Sequence, residues 1–295
     1  MELKKCHGDA LDYFRQLAKE GREKFEDDRV HILRMSNVSE EEYAKAMSNL
    51  QEKSRIAVHF HPDRLDNNLD SVIENLLIEG RYKSQFETLI SNGGVSAKPG
   101  GDRDIWEQKL FNEAYTFEKS EAKDRPKYGA LKLFPHADGP APRFGACYFV
   151  LKPNVTKRAT FTYLDSFTVP DARGTIDSFD YVMTELMTDM FQRDYGVGES
   201  DIRPRQFFDF LLDDDFFDHD DFSKDRLRQN LNYYIEAQIH GDLLLMDHVE
   251  SLVADSSFEN TDVGELLKKC SEKYKFNLIY RPGFLLKVED VPNHF

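Results

Sequence analysis

Three short stretches hold residue types whose spacing could do chemistry. In HFHPDR, His59, His61, Asp63 and Arg64 gather at the end of the apolar run RIAVHF. Side chains alternate along a strand, so His59 and His61 share one face, while Arg64 reaches out of the loop that Pro62 starts. That places a cation where a phosphate could meet it. His-x-His-x-Asp is also a metal-ligand spacing, although the cation at Arg64 disfavours a metal beside it. A core histidine with an ion-paired arginine is the plain alternative. In QFETLISNGG, Glu87, Thr88, Ser91 and Asn92 precede Gly93 and Gly94. The glycines permit positive φ and close backbone approach to a phosphate or amide, and Ser91 and Asn92 add neutral hydrogen bonds. An Asn-Gly surface turn would use the same residues. In YYIEAQIHG, a period of two sets Glu236, Gln238 and His240 on one face and Ile235, Ala237 and Ile239 on the other. A carboxylate beside an amide and an imidazole suits holding a ribose hydroxyl and opposing positive charge at an anomeric carbon. A solvent-facing polar stripe is the alternative.

Elements must position these groups. The text from Ala10 to Arg55 is charged and helical in period, and it breaks at SNVS, where Ser39 and Glu42 form a capping box. Two helices are predicted there, then the strand RIAVHF and a helix over Leu69 to Ile78. The Gly-rich SNGGVSAKPGG reads as a loop. In DRDIWEQKLFNEAYTF, the near-helical spacing of Ile105, Leu110, Phe111, Ala114 and Phe117 predicts a core-facing helix that carries the single Trp. Three β-like runs, YGALKLF, ACYFVLK and RATFTYLDSF, predict an antiparallel meander. Helical text covers 176 to 193, and an acidic, Phe-rich region covers 206 to 222, where the EF-hand spacing is missing and a solvated acidic face fits better. A strand pair is expected in NYYIEAQIHGDLLL and its sequel, followed by helix, strand and strand in DVGELLKKCSEKY, FNLIY and FLLKV. Helices and strands do not alternate as in βαβ units, so the class is α+β. The boundary falls between a helical segment, 1 to 54, and the remainder, 55 to 295.

The 295 residues carry 39 Lys plus Arg against 54 Asp plus Glu, a net charge of −15, which repels phosphate backbones and argues against nucleic acid as a partner. With 40% hydrophobic residues there is ample material for a sizeable core. Cys6, Cys147 and Cys270 are far apart and show no zinc-type spacing, which fits a reducing, cytoplasmic compartment. No apolar run of about 18 residues suggests membrane insertion, and MELKKCHGDALDYF lacks the apolar core of a cleaved signal.

The set HFHPDR, QFETLISNGG, GGDRDIWE, RPKYGAL, PRFGACYFVLKP, RATFTYLDS and YIEAQIHGDLLL resembles, over roughly residues 55 to 290, a bacterial family long catalogued as a domain of unknown function and associated with the ADP-ribosyltransferase superfamily. The resemblance implies a split β-sheet core behind an N-terminal helical segment. It implies mono-ADP-ribosyl transfer from NAD, a co-substrate, to a side chain such as arginine on a target protein, with release of nicotinamide and without a metal. Some members look like effectors delivered into host cells, which implies a host protein as acceptor. Arg64 resembles the strand-end arginine that binds NAD in the arginine-directed branch. Ser91, or the strand holding Thr160 and Thr162, resembles the segment that builds the cleft, and Glu236 resembles the late glutamate that contacts the nicotinamide ribose. Glu87 is a second candidate for the catalytic carboxylate. The matching motifs make His61, Arg64, Thr88, Ser91, Asn92, Gly94, Arg103 and Tyr128 the NAD-binding set. The usual Ser-Thr-Ser stands at neither place, and Tyr234 occupies the position where arginine-modifying enzymes carry another Glu. An NAD glycohydrolase shares the same cleft. A non-catalytic module docking a basic partner and a metal-dependent hydrolase built on His59, His61, Asp63 and His240 are the readings from other classes.

Overall fold

The stretch Ile56 to Phe60 is buried at every position, so RIAVHF forms a strand covered on both faces, and it lies in the middle of a large sheet. The computed structural model describes residues 3–66, 68–89, 96–217 and 231–282. The sheet strands are β1 (Arg55–Phe60), β2 (Lys127–Lys132), β3 (Cys147–Leu151), β4 (Ala159–Tyr163), β5 (Arg173–Thr175), β6 (Ile235–Ile239), β7 (Val249–Asp255) and β8 (Asn277–Arg281), in the order β8-β7-β3-β1-β2-β6-β4-β5. The pairings from β7 through β5 are antiparallel, and β7 with β8 is parallel. The molecule is therefore of the mixed α+β class. Eight of its described strands form one continuous sheet, whereas the resemblance implies a split one.

The expected meander is not formed. The three runs do become β2, β3 and β4, but β1 lies between β2 and β3, and β6 lies between β2 and β4. The expected strand pair also separates, since β6 and β7 lie on opposite sides of β1, and Leu243–Leu244 pairs with Arg81–Tyr82. These strands are buried along nearly their whole length, so long-range packing chooses their neighbours and short local turns do not.

Three N-terminal helices form where two were expected, because Gly21 ends the first: α1 (Lys5–Glu20), α2 (Arg22–Met35) and α3 (Glu40–Lys53). Ser39 and Glu42 make the expected capping box on α3. Phe25, Ile32, Leu33 and Leu50 from these helices share one hydrophobic core with Ile56, Val58 and Phe149 of the sheet. Helix α4 (Val72–Glu79) begins at a Ser71–Glu74 box and ends at Gly80, whose φ of 68° is left-handed. Helix α5 (Asp102–Leu110) departs from its expected face. Leu110, Phe111 and Ala114 are buried, but Ile105 is 48% and Phe117 42% exposed. The inward positions of α5 belong to Arg103, Asp104, Trp106 and Glu107.

Helix α6 (Asp180–Arg193) fills the predicted helical stretch, and α7 (Pro204–Leu212) buries Phe207, Phe208 and Leu211 from the Phe-rich region. Residues 218–222 of that region and the FLLKV run lie outside the described residues. Helix α8 (Asp262–Tyr274) makes the crossover that parallel β7 and β8 require. The three cysteines are free and buried. Among the described residues no helix is long and apolar enough to cross a membrane.

Candidate functional site

One cleft of about 750 Å³ collects most of the polar motifs, and its size is that of a small-molecule or cofactor site, about 300 to 1,000 Å³. Glu236 lines it from β6, where it is paired with Ala130 on β2 and Thr162 on β4. This side chain is only 6% exposed. Ser166 Oγ and Gln238 Nε2 (3.0 Å) both donate to Oε1, so the remaining oxygen is left for the cleft. Burial pushes the Glu236 carboxyl up to about 7, and the nearby Asp165 carboxylate adds to this, while Ser166, Gln238 and Arg103 pull it down.

Arg103 enters the same cleft from α5 and is 6% exposed. Its guanidinium lies 4.6 Å from the Trp106 ring and 4.9 Å from the Tyr128 ring. Among the described residues its Nε and Nη1 have no hydrogen-bond partner, and the approach of Nη1 to Glu107 is a long 3.7 Å. Glu107 is engaged elsewhere, accepting from Tyr128 Oη at 2.7 Å and pairing with Arg125 at 3.1 Å. Arg125, fully buried, also binds Asp104 at 2.6 Å and packs against the rings of Phe86 and Phe117, at 4.2 and 4.7 Å. These ion pairs turn the charged face of α5 inward. Trp106 Nε1 then donates to Ser166 O at 2.8 Å, tying α5 to the loop after β4. The loop in turn delivers Ser166 to Glu236. A buried guanidinium short of partners among the described residues is costly, and an anionic ligand would relieve it.

Of the ten residues singled out for catalysis or NAD binding, Glu236, Glu87, His61, Arg64, Thr88, Arg103 and Tyr128 line this one cleft. Ser91, Asn92 and Gly94 lie outside the described residues. Glu87 and Glu236 differ in what they have left to offer. Glu87 is the third residue of a short turn, Gln85–Thr88; its Oε2 caps the Ser84 N–H at 2.9 Å and its Oε1 pairs with Arg81 at 2.6 Å. Burial acts to raise this carboxyl, but Arg81, the Ser84 N–H and Lys127 together bring it below its ordinary value. Both of its oxygens are occupied by the fold. Lys127, buried in the same wall, donates to the carbonyls of Lys123 (2.7 Å) and Gly241 (3.1 Å), and burial lowers its pKa to about 8.

Among the described residues the histidines do not gather as a metal site would need. His59 Nδ1 donates to Gly145 O at 3.0 Å and Nε2 accepts from the Ala141 N–H at 3.2 Å, so the neutral ring ties the loop before β3 to the end of β1. His240 shares its face of β6 with Glu236 and Gln238, as the period of two predicts, but it is fully buried and does not reach the cleft. Among the described residues no group of three or more His, Cys, Asp or Glu could hold a metal ion. Sequence reasoning passed over Arg81, Trp106, Lys127, Asp165 and Ser166 as cleft or carboxylate partners. A signal existed for one of them: Arg103 and Trp106 stand three apart on a helix and so share a face.

Residues 55–295 match the model of a family described as a protein of unknown function, DUF3626. No curated protein matches the chain.

Proposed function

The chain belongs to the DUF3626 family, and from that premise we propose that it transfers ADP-ribose from NAD to a side chain of another protein, releasing nicotinamide. The observation that carries this reading is one cleft lined by both a buried carboxylate with an oxygen left for a ligand, Glu236, and a buried guanidinium short of partners, Arg103. NAD offers what each lacks. Its phosphates suit Arg103 and the other cleft cations Arg64 and Arg81, and its flat rings suit the aromatic walls of Trp106, Tyr82 and Tyr128. As the bond from the ribose anomeric carbon to the nicotinamide nitrogen breaks, its electron pair leaves with the ring and positive charge grows on the ribose. A fixed Glu236 carboxylate opposes that charge without reorganising, and the acceptor's lone pair then forms the new bond as its proton is lost. In this reading an ADP-ribosyltransferase-like core is built on a continuous sheet, with Arg64 after β1 and Glu236 on β6.

The test is to incubate the purified chain with labelled NAD and a eukaryotic lysate. A labelled protein band is expected. Glu236→Gln should lose it by about a hundredfold or more with NAD affinity retained, the signature of an interaction made mainly in the transition state. Arg103→Ala should instead weaken NAD binding by about 1.5 to 3 kcal/mol, the range for hydrogen bonds to a charged group. Nicotinamide release without a labelled protein would make the chain an NAD glycohydrolase. No heat on titrating NAD to millimolar concentration would end the reading.

A further inference from the structure

Behind Glu236, a line of polar side chains runs into the core along one face of β6 and across to β4. Tyr115 Oη lies 2.5 Å from His240 Nδ1, His240 Nε2 lies 3.1 Å from Thr160 Oγ1, Thr160 Oγ1 donates to Gln238 Oε1 at 2.8 Å, and Gln238 Nε2 donates to Glu236 Oε1 at 3.0 Å. Tyr115, His240, Thr160 and Gln238 are fully buried. Hydrogen-bond chemistry gives this line a single direction. An ionised carboxylate accepts only, so Gln238 must turn its N–H toward Glu236 and its carbonyl oxygen toward Thr160. Thr160 has one hydroxyl hydrogen, and that hydrogen is spent on Gln238. It must therefore accept from His240 Nε2–H, which leaves Nδ1 of the neutral ring to accept from Tyr115. Burial, with the cations Lys127 and Arg158 and the ring of His7 nearby, keeps His240 neutral.

We propose that Tyr115, His240, Thr160 and Gln238 are positioning residues, whose one-way line of hydrogen bonds locks the Gln238 amide with its N–H on Glu236 Oε1 and presents a charged Oε2 to the cleft. An amide does not readily pass a proton along such a line, so the line orients and does not conduct. If Thr160 were silent, only the long 3.4 Å hydrogen bond from Gln238 Nε2 to Thr162 Oγ1, whose own hydrogen goes to Leu164 O, would resist the Gln238 amide turning over to set its oxygen against the carboxylate, a contact that only a protonated Glu236 tolerates. The line thus favours the ionised form against the burial, and against the Asp165 carboxylate, that oppose it. Arg103 acts in the same sense from α5, and the rings of Tyr128 and Tyr234 complete the surroundings of Glu236.

The proposal deepens the use assigned to Glu236, but its test needs no NAD. In protein labelled with ¹³C at glutamate carboxyls, the Glu236 resonance is identified by its loss in Glu236→Gln and titrated by NMR. Thr160→Val keeps the side-chain shape and removes the hydroxyl, and it should move the Glu236 midpoint upward by about half a pH unit or more. Thr160→Ser should restore it. Tyr115→Phe, which removes one oxygen at the far end, should shift the midpoint in the same direction by less, and it decides the matter alone if Thr160→Val does not fold. A lowered melting temperature with an unmoved Glu236 midpoint in both variants would make the line purely structural and overturn the proposal. Absence of protein labelling by the wild-type chain would end the functional reading and leave this titration standing.

Discussion

At the scale of single residues, Glu236 carries a cost that its replacement should reveal. Its folded midpoint near 7 lies above the ordinary carboxyl value of 4.5, so the folded chain holds that proton more tightly than the unfolded chain does. The associated stabilisation is fully present below about pH 4.5 and is lost as the pH rises through about 7, amounting to about 3 kcal/mol. Glu236→Gln keeps acceptors for Ser166 and Gln238 and carries no charge. It should therefore melt a few degrees higher than wild type at pH 8 and differ little near pH 4.5, as calorimetry at the two pH values would show. Transfer should follow the opposite course, because only the ionised carboxylate opposes the ribose cation. The kcat/KM of the wild-type chain should rise with pH to a plateau, with its midpoint near 7.

At the scale of elements, α5 is the piece on which the cleft depends, and Arg125 is what orients it. Arg125→Met would leave Asp104 and Glu107 buried without their cation, a loss of about 3 to 5 kcal/mol when one partner of a buried pair is removed. Urea unfolding should show that loss, and adding Asp104→Leu should recover part of it. A double variant no more stable than the single one would show that the pair does not hold the helix. The same helix marks how far the sequence could be read. The period of two on β6 correctly put Glu236, Gln238 and His240 together, and the Ser39–Glu42 box marks where α3 begins. Apolar periodicity then misled on α5, because its inward face is charged and becomes stable only through Arg125, a partner some 20 residues later in the chain. Strand neighbours were also beyond local reading. In β1, β3, β4 and β6 burial is nearly continuous, so no alternation remains to say which strand pairs with which. His59 deceived in another way: its spacing suggests a ligand, but its ring is used up by two backbone groups that sequence cannot display.

At the scale of the whole molecule, the family match begins at Arg55, but the core does not. Phe25 stacks on Tyr181 at 4.8 Å, Tyr43 Oη donates to Asp180 at 2.7 Å, and Ile32, Leu33 and Leu50 close the same apolar cluster. At about 1.5 to 3 kcal/mol for each buried large side chain, four of these outweigh much of a typical total stability of about 5 to 15 kcal/mol. A chain starting at Arg55 should therefore bind a hydrophobic dye and show no cooperative melting transition; a sharp transition would show that the helices are an independent addition. The net charge of −15 stands against the two buried cations of the cleft, Arg103 and Lys127, which sit among both bases and carboxylates of its lining. An anionic dinucleotide meets repulsion at long range and attraction only once inside. Added salt screens the distant field first, since the Debye length shrinks from about 30 Å at 0.01 M to about 10 Å at 0.1 M, while the buried pair Arg103 and Lys127 is shielded far less. Stopped-flow association of NAD should thus speed up with ionic strength before it slows, so that the encounter rate passes through a maximum where a simple cationic pocket would give a steady decline.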